Sequence, residues 1–242
     1  MITYPLRPEG FCLMNRRKTI VKAFYRSFPV MAGYIVLGTG FGILLRNAGY
    51  GVLWALAMSC FIFAGSMQYV GIGLLGGGAS VITTIITTIM VNARHLFYSI
   101  SMIDKYKGTG KYKPYLIFAL TDETYSLLCE EEGSDETDLN QYRFYVSLFN
   151  HSYWVLGSLL GSLLGTVIPF STRGIEFSMT ALFIASFTEQ WITSKDHIPA
   201  LTGLIATGVC LVLLGPERFL IPAMLLITLI LTVIRKKEER AV

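Results

Sequence analysis

Asn92, Arg94 and His95 interrupt an otherwise oil-soluble run over residues 79–102. An ionised guanidinium at membrane depth costs about 3 kcal/mol on insertion scales, so it must face a partner, a water-filled cavity or an interface. Its planar fork suits a carboxylate held by two hydrogen bonds. Pairing with Asp122 or Glu123 merely to fix helix packing is the competing reading, though buried ion pairs stabilise poorly. Those two carboxylates stand side by side in a short apolar segment. They require pairing, hydration or protonation there, and a group that takes up a proton readily suits a proton carrier. Asp122 reads as the better inward candidate, and a solvated segment end is the alternative. In Phe63-Ala-Gly-Ser-Met-Gln68, small residues allow close helix contact. An unwound turn there would expose carbonyls to a ligand, with Gln68 able to donate and accept; a tight packing seam is the other reading.

The remaining polar residues are less informative. Glu176 and Glu217 stand at helix starts, where the dipole favours an acid, and read as caps. His95, His151 and His197 lack metal-ligand spacing; His151 and His197 read as interface residues. Ser66 with His151 is the one nucleophile and base on offer. Hydrolase, ATPase and zinc-protease patterns are absent from the sequence, which leaves those readings without support, and the chain is expected not to be an enzyme.

Composition decides the solvent of the elements that carry these residues. The chain is 53% hydrophobic and 15% charged, with a mean hydropathy of +0.55. A soluble domain carries about 25% charged residues. The 23 glycines fit close-packed membrane helices. The net charge of +4 gathers at the two ends and in one loop, which speaks of orientation in a bilayer rather than nucleic acid. Cys12, Cys60, Cys129 and Cys210 share no close spacing and read as small hydrophobes. No cleavable signal is expected, and Met14 reads as a natural start with an extension before it.

A spanning helix needs about 20 apolar residues. The candidate stretches are 28–45, 52–75, 79–102, 115–129, 144–169, 175–192, 198–214 and 219–234. The expectation is an all-α polytopic membrane protein of seven to eight transmembrane or half-membrane helices. Residues 1–27 form a cytoplasmic segment, 28–234 a single membrane domain and 235–242 a cytoplasmic tail. An internal repeat relates 28–103 to 147–232. Gly33-Tyr-Ile-Val-Leu-Gly-Thr-Gly-Phe-Gly42 resembles Ser152-Tyr-Trp-Val-Leu-Gly-Ser-Leu-Leu-Gly161. The stretch from Phe61 to Gln68 lines up with that from Phe183 to Gln190, and Asn92 to Leu96 with Pro216 to Leu220. Weak repeats with interrupted segments mark secondary transporters. Basic residues before the first span and after the last place both ends in the cytoplasm. Eight full spans would put Lys105, Lys107, Lys111 and Lys113 outside. A broken, re-entrant third segment would return them to the cytoplasm and is the favoured reading.

Phe63-Ala-Gly-x-x-Gln68, Asn92-x-Arg94-x-x-x-Tyr98-Ser99, Thr121-Asp122-Glu123, Trp154-Val-Leu-Gly157-x-x-x-Gly161 and Glu176-Phe177-x-x-x-Ala181-Leu-Phe183 together resemble the AzlC family. This family comprises large subunits of branched-chain amino-acid exporters linked to azaleucine resistance. Gly174-Ile-Glu176-Phe departs from the family's usual Leu-Asp-Phe but keeps the charge. The resemblance implies leucine, isoleucine, valine and analogues as substrates, a small hydrophobic AzlD-type partner, no organic cofactor, and the bacterial plasma membrane as location. In such an exporter Arg94 would hold the carboxylate, and Asp122 or Glu123 the ammonium or a coupling proton. Asn92 and Gln68 would orient the substrate beside Gly65, and Phe63, Phe97 and Phe183 would line the aliphatic pocket. A passive channel or facilitator for small zwitterions is the alternative.

Overall fold

The computed structural model describes residues 9–129, 139–167, 196–216 and 219–241, with 177, 180, 181, 184, 187, 188, 191 and 192 between them. Phe183, Glu176, Gln190, Glu217 and the acidic stretch 130–138 lie outside the described residues. The described elements are α1 (Glu9–Asn47), α2 (Val52–Phe61), α3 (Gly65–Gly76), α4 (Val81–Asn92), α5 (Arg94–Tyr106), a 3-10 turn at Gly110–Tyr112, α6 (Lys113–Phe118), α7 (Asp122–Cys129), α8 (Leu139–Val167), α9 (Ile198–Leu214) and α10 (Leu220–Ala241). The all-α expectation holds, with no strand among the described residues. Within α1, Arg16–Asn47 is long and apolar enough to cross a membrane. Leu53, Phe61, Val167 and Val212 are each more than three-quarters exposed, a surface at home in lipid rather than water.

The chain forms two compact units, one of Met1–Ser80 with His95–Ser178, the other of Val81–Arg94 with Met179–Val242. In the second, α9 ends at Gly215, whose φ of 76° an L side chain would resist, and α10 begins at Leu220. The expected break in residues 79–102 is present, at Ala93 between α4 and α5.

The first unit is built on α1 and α8, which run parallel. Contacts advance together along both: Ile35 meets Gly157, Thr39 meets Gly161 and Ile43 meets Gly165. Only glycine lets the backbones come this close. A Cβ on Gly38 would lie 2.9 Å from the Trp154 carbonyl oxygen, and one on Gly157 would lie 2.8 Å from that of Ile35. A Cβ on Gly42 would strike the Ser158 carbonyl, and one on Gly161 that of Thr39. In lipid no hydrophobic gain drives helices together, so this close packing must hold the pair.

Two helical hairpins fill the flanks, and they enter from opposite ends. α2 leaves the far end of α1, where Trp54 packs 5.5 Å from Tyr50, and brings the Ser59 carbonyl to His151 in the first half of α8. α3 then turns back, its Tyr69 hydroxyl donating to the Leu37 carbonyl at 2.6 Å. A Cβ on Gly71 would lie 3.9 Å from Met58 Cε. A straight helix would separate those residues by about 20 Å. The second hairpin, α6 and α7, rises from the lysine-bearing loop and returns to it: Lys105 Nζ donates to the Leu128 and Cys129 carbonyls at 2.6 and 2.9 Å. That loop sits beside the start of α8, with Arg143 Nη1 on the Lys105 carbonyl at 2.5 Å and Asn140 Nδ2 on that of Gly108 at 3.3 Å. A core of Ala23, Met102, Tyr106, Leu116, Leu128, Tyr142 and Val146 closes this end.

The lysine loop therefore lies at the end of the unit where α1 begins, as the sequence favoured, but by a different route. The hairpin that folds back on itself is 52–76, not 79–102. The chain from Gly76 to Lys105 instead connects the two ends of the unit.

Candidate functional site

The two hairpin tips meet at the mid-depth of α1 and α8. At the first, α2 stops at Phe61 and α3 starts at Gly65, with Phe63 at φ 36°. Left-handed backbone at a non-glycine residue costs about 1–2 kcal/mol and persists only where the surroundings enforce it. Here the Phe63 ring is gripped by aromatic neighbours: His151 at 4.4 Å, Tyr34 at 6.3 Å and Phe118 at 6.3 Å between centroids. His151 also caps the broken helix. Its Nε2 donates to the Ser59 carbonyl at 3.1 Å, because a carbonyl can only accept. Its Nδ1 then accepts from the Tyr115 hydroxyl at 3.0 Å. His151, read from sequence as an interface residue, is instead the clasp between the two hairpins. Both its ring nitrogens are engaged.

At the second tip, α6 ends at Phe118 and α7 starts at Asp122. Thr121 caps α7, its Oγ1 accepting from the Thr124 amide at 3.3 Å. Asp122 and Glu123 occupy the first turn, where the helix dipole favours negative charge. The carboxylates, both half-buried, thus begin a half-helix at the hairpin tip.

A buried polar chain links the tip to both long helices. Asn150 Nδ2 donates to Thr124 Oγ1 at 3.0 Å, and Thr121 Oγ1 donates to Thr124 Oγ1 at 3.1 Å. Tyr34 Oη lies 2.7 Å from Thr121 Oγ1 and donates to Glu123 Oε2 at 2.6 Å. Glu123 is an acid whose carboxylate meets Tyr34. On the other side, Trp154 Nε1 donates to Gln68 Oε1 at 2.6 Å, while its ring rests against Gly65, where a Cβ would come within 2.8 Å. Trp154 packs edge-on to Tyr34 at 5.5 Å.

Among the residues chosen from sequence, the structure thus gathers Phe63, Gly65, Gln68 and Glu123 around Tyr34 and Trp154, with Asp122 in the same turn as Glu123. Asn92 ends α4 and Arg94 opens α5, half-buried on either side of the Ala93 break; both belong to the second unit. Phe97 lies on α5, with its side chain outside the described residues, as is all of Phe183. Sequence reasoning missed Tyr34, Thr124 and Asn150. A polar Asn150 one turn before Trp154, in an apolar stretch, was the available signal.

A family model described as AzlC protein matches residues 29–168. A Bacillus subtilis strain 168 protein named branched-chain amino acid transport protein AzlC is 45% identical over 94% of this chain and 91% of its own length. A Helicobacter pylori strain J99 protein, named only as an uncharacterized membrane protein, is 45% identical over 90% of this chain and 98% of its own. The Escherichia coli K12 inner membrane protein YgaZ is 25% identical over 86% and 85%. No solved structure matches the chain. With relatives so named, the apolar helical fold and its buried polar centre define a helical membrane protein. The chain belongs to the AzlC family.

Proposed function

We propose that this chain carries branched-chain amino acids across the bacterial plasma membrane as a secondary exporter. The reading is carried by one observation: two hairpins of half-helices meet tip to tip around buried Tyr34, Gln68 and Trp154. Broken helices at mid-depth offer backbone ends and polar side chains to a substrate while the rest stays helical. The name of the Bacillus subtilis relative supplies the substrate class. Phe63, Gly65 and Gln68 border the substrate; Phe97 and Phe183 are wall residues proposed from the sequence alone. Arg94 and Asn92, which flank the Ala93 break in the second unit, are proposed separately as a polar pair able to hold a substrate carboxylate. An AzlD-type subunit is the proposed partner.

Glu123 is the proposed proton carrier. With Thr121 donating to Thr124, the single phenolic proton of Tyr34 faces two acceptors, Thr121 Oγ1 and Glu123 Oε2. A proton on Glu123 removes that conflict: the carboxyl donates to Tyr34, and Tyr34 donates to Thr121. Loading and unloading Glu123 would thus re-pair the bonds that tie α7 to α1.

The matching seam also supports a duplication. Gly42 approaches Ser158 and Gly161 approaches Thr39, and both pairs are exchanged by the alignment of 33–42 with 152–161. Reciprocal contacts of this kind are what a two-fold relation produces. Because α1 and α8 are parallel, the repeats would share one orientation.

Opposed hairpins also build pores, which keeps a passive facilitator as the second reading. Counterflow of labelled valine in proteoliposomes holding the full chain, with and without an imposed pH gradient and an uncoupler, tests both. Accumulation driven by the gradient and abolished by the uncoupler is expected. Equilibration indifferent to both would establish the facilitator, and no valine flux would end the transport reading.

A further inference from the structure

Two amide side chains, Gln68 just after the first hairpin tip and Asn150 on α8, are wholly buried, and each is half-used. Gln68 and Asn150 are both 0% exposed. Gln68 Oε1 takes the indole proton of Trp154, and because an indole nitrogen only donates, the amide orientation is fixed. Its Nε2, a donor, has no partner. Asn150 spends Nδ2 on Thr124, and its Oδ1, an acceptor, has none. Buried polar atoms are almost always paired with protein, water or ligand, so the bare donor and the bare acceptor each call for a partner.

Their placement says what the partner must be. Asn150 and Trp154 are one turn apart on α8, with side-chain roots about 5–6 Å apart, and Gln68 hangs on Trp154. The bare donor and the bare acceptor are thus anchored at neighbouring turns of α8, and an α-amino acid carries one charged group suited to each. The donor end is reinforced. Gly65 opens α3 with no side-chain cap at Ala64, so a positive helix terminus lies beside the Trp154 ring. A lone ion would ask for groups of one polarity, whereas a zwitterion asks for one of each. Phe63, Phe118 and Trp154 supply an apolar wall for the rest of the molecule.

We infer that Gln68 Nε2 donates to the carboxylate and Asn150 Oδ1 accepts from the ammonium of a branched-chain amino acid held between the hairpin tips. This rests on the transport reading and adds Asn150 to it as a substrate contact. It also separates two tasks. Asn150 takes the ammonium, so Glu123, already engaged with Tyr34, is left to carry the proton.

Ratios of affinity test the assignment without relying on variants of full stability. The full chain in lipid nanodiscs is titrated calorimetrically with valine, with valinamide, which lacks the carboxylate, and with 2-oxoisovalerate, which lacks the ammonium. In Gln68→Glu the preference for valine over valinamide should fall about ten-fold or more, because a charged hydrogen bond is lost and replaced by repulsion. In Asn150→Leu the preference for valine over 2-oxoisovalerate should fall by a similar factor, about ten-fold. Preferences that stay within about three-fold of the wild type, or binding of all probes lost together, would overturn the assignment and leave the amides a packing role. A wild-type chain that binds no valine would overturn the transport reading itself, and the assignment with it.

Discussion

At the scale of single residues, the proposed division of labour predicts distinct phenotypes for neighbouring side chains. Glu123→Gln retains an acceptor for the Tyr34 hydroxyl but cannot exchange a proton. Valine exchange at equal pH should persist, while accumulation driven by a pH gradient disappears; a variant still driven by the gradient would move the coupling role elsewhere. Tyr34→Phe removes the bonds to both Thr121 and Glu123. It should weaken coupling more than exchange, read as the ratio of gradient-driven to equilibrium flux. Arg94→Ala should lower valine flux about ten-fold or more if its guanidinium holds a carboxylate. A variant that inserts and transports normally would free Arg94 from that role. Part of this was legible in the sequence. Phe63, Gly65 and Gln68 stood out because small residues and an amide in an apolar run have few structural uses. Tyr34, Asn150 and His151 did not, because each looks ordinary on its own helix. Their significance comes from what the opposing hairpin brings to them.

At the scale of elements, the parallel pair α1 and α8 is held by backbone proximity, and this can be measured. A methyl group added at Gly42 or Gly161 would meet backbone, not a side chain that can swing aside. Gly161→Ala and Gly42→Ala should each destabilise the chain by about 1–3 kcal/mol, the usual cost of overpacking. Gly33→Ala, where a Cβ would meet nothing within 4 Å, should be neutral or slightly stabilising. Thermal unfolding in detergent distinguishes them; equal midpoints for all three would mean that the seam is not tight. The sequence showed these glycines as one of three matched stretches, without showing that the matched stretches touch each other. It also misread two segments. Residues 52–75 and 115–129 have the hydropathy of one long span and one short span. Each is a pair of half-helices that reverses direction. Hydropathy counts apolar length and carries no sign for direction, so a hairpin and a span look alike. Only the strained backbone at Phe63 and the cap at Thr121 mark the reversals.

At the scale of the whole molecule, the first unit fixes the order in which chain ends alternate. Arg16 Nε reaches the Tyr145 hydroxyl at 2.8 Å, and Lys22 lies over the Tyr142 ring at 5.7 Å, so the basic start of α1 and the start of α8 share an end. Lys105, Lys107, Lys111 and Lys113 belong to a loop at that same end, held by Asn140 and Arg143. Basic residues near helix ends favour the cytoplasm. Their convergence on one end gives the unit a single preferred orientation, whereas eight straight spans would have set the loop against the rule. The turn after α1, at Ala48 to Gly51, then faces the opposite side. Both positions are exposed enough to label. In a background with the four native cysteines replaced, Lys107→Cys should react with a membrane-impermeant maleimide only in inside-out vesicles. Ala48→Cys should react only in right-side-out ones. Labelling of both from the same side would require an additional crossing between Gly51 and Lys105. That would undo the hairpin at Phe63 on which the meeting of the two tips, and with it the proposed substrate site, depends.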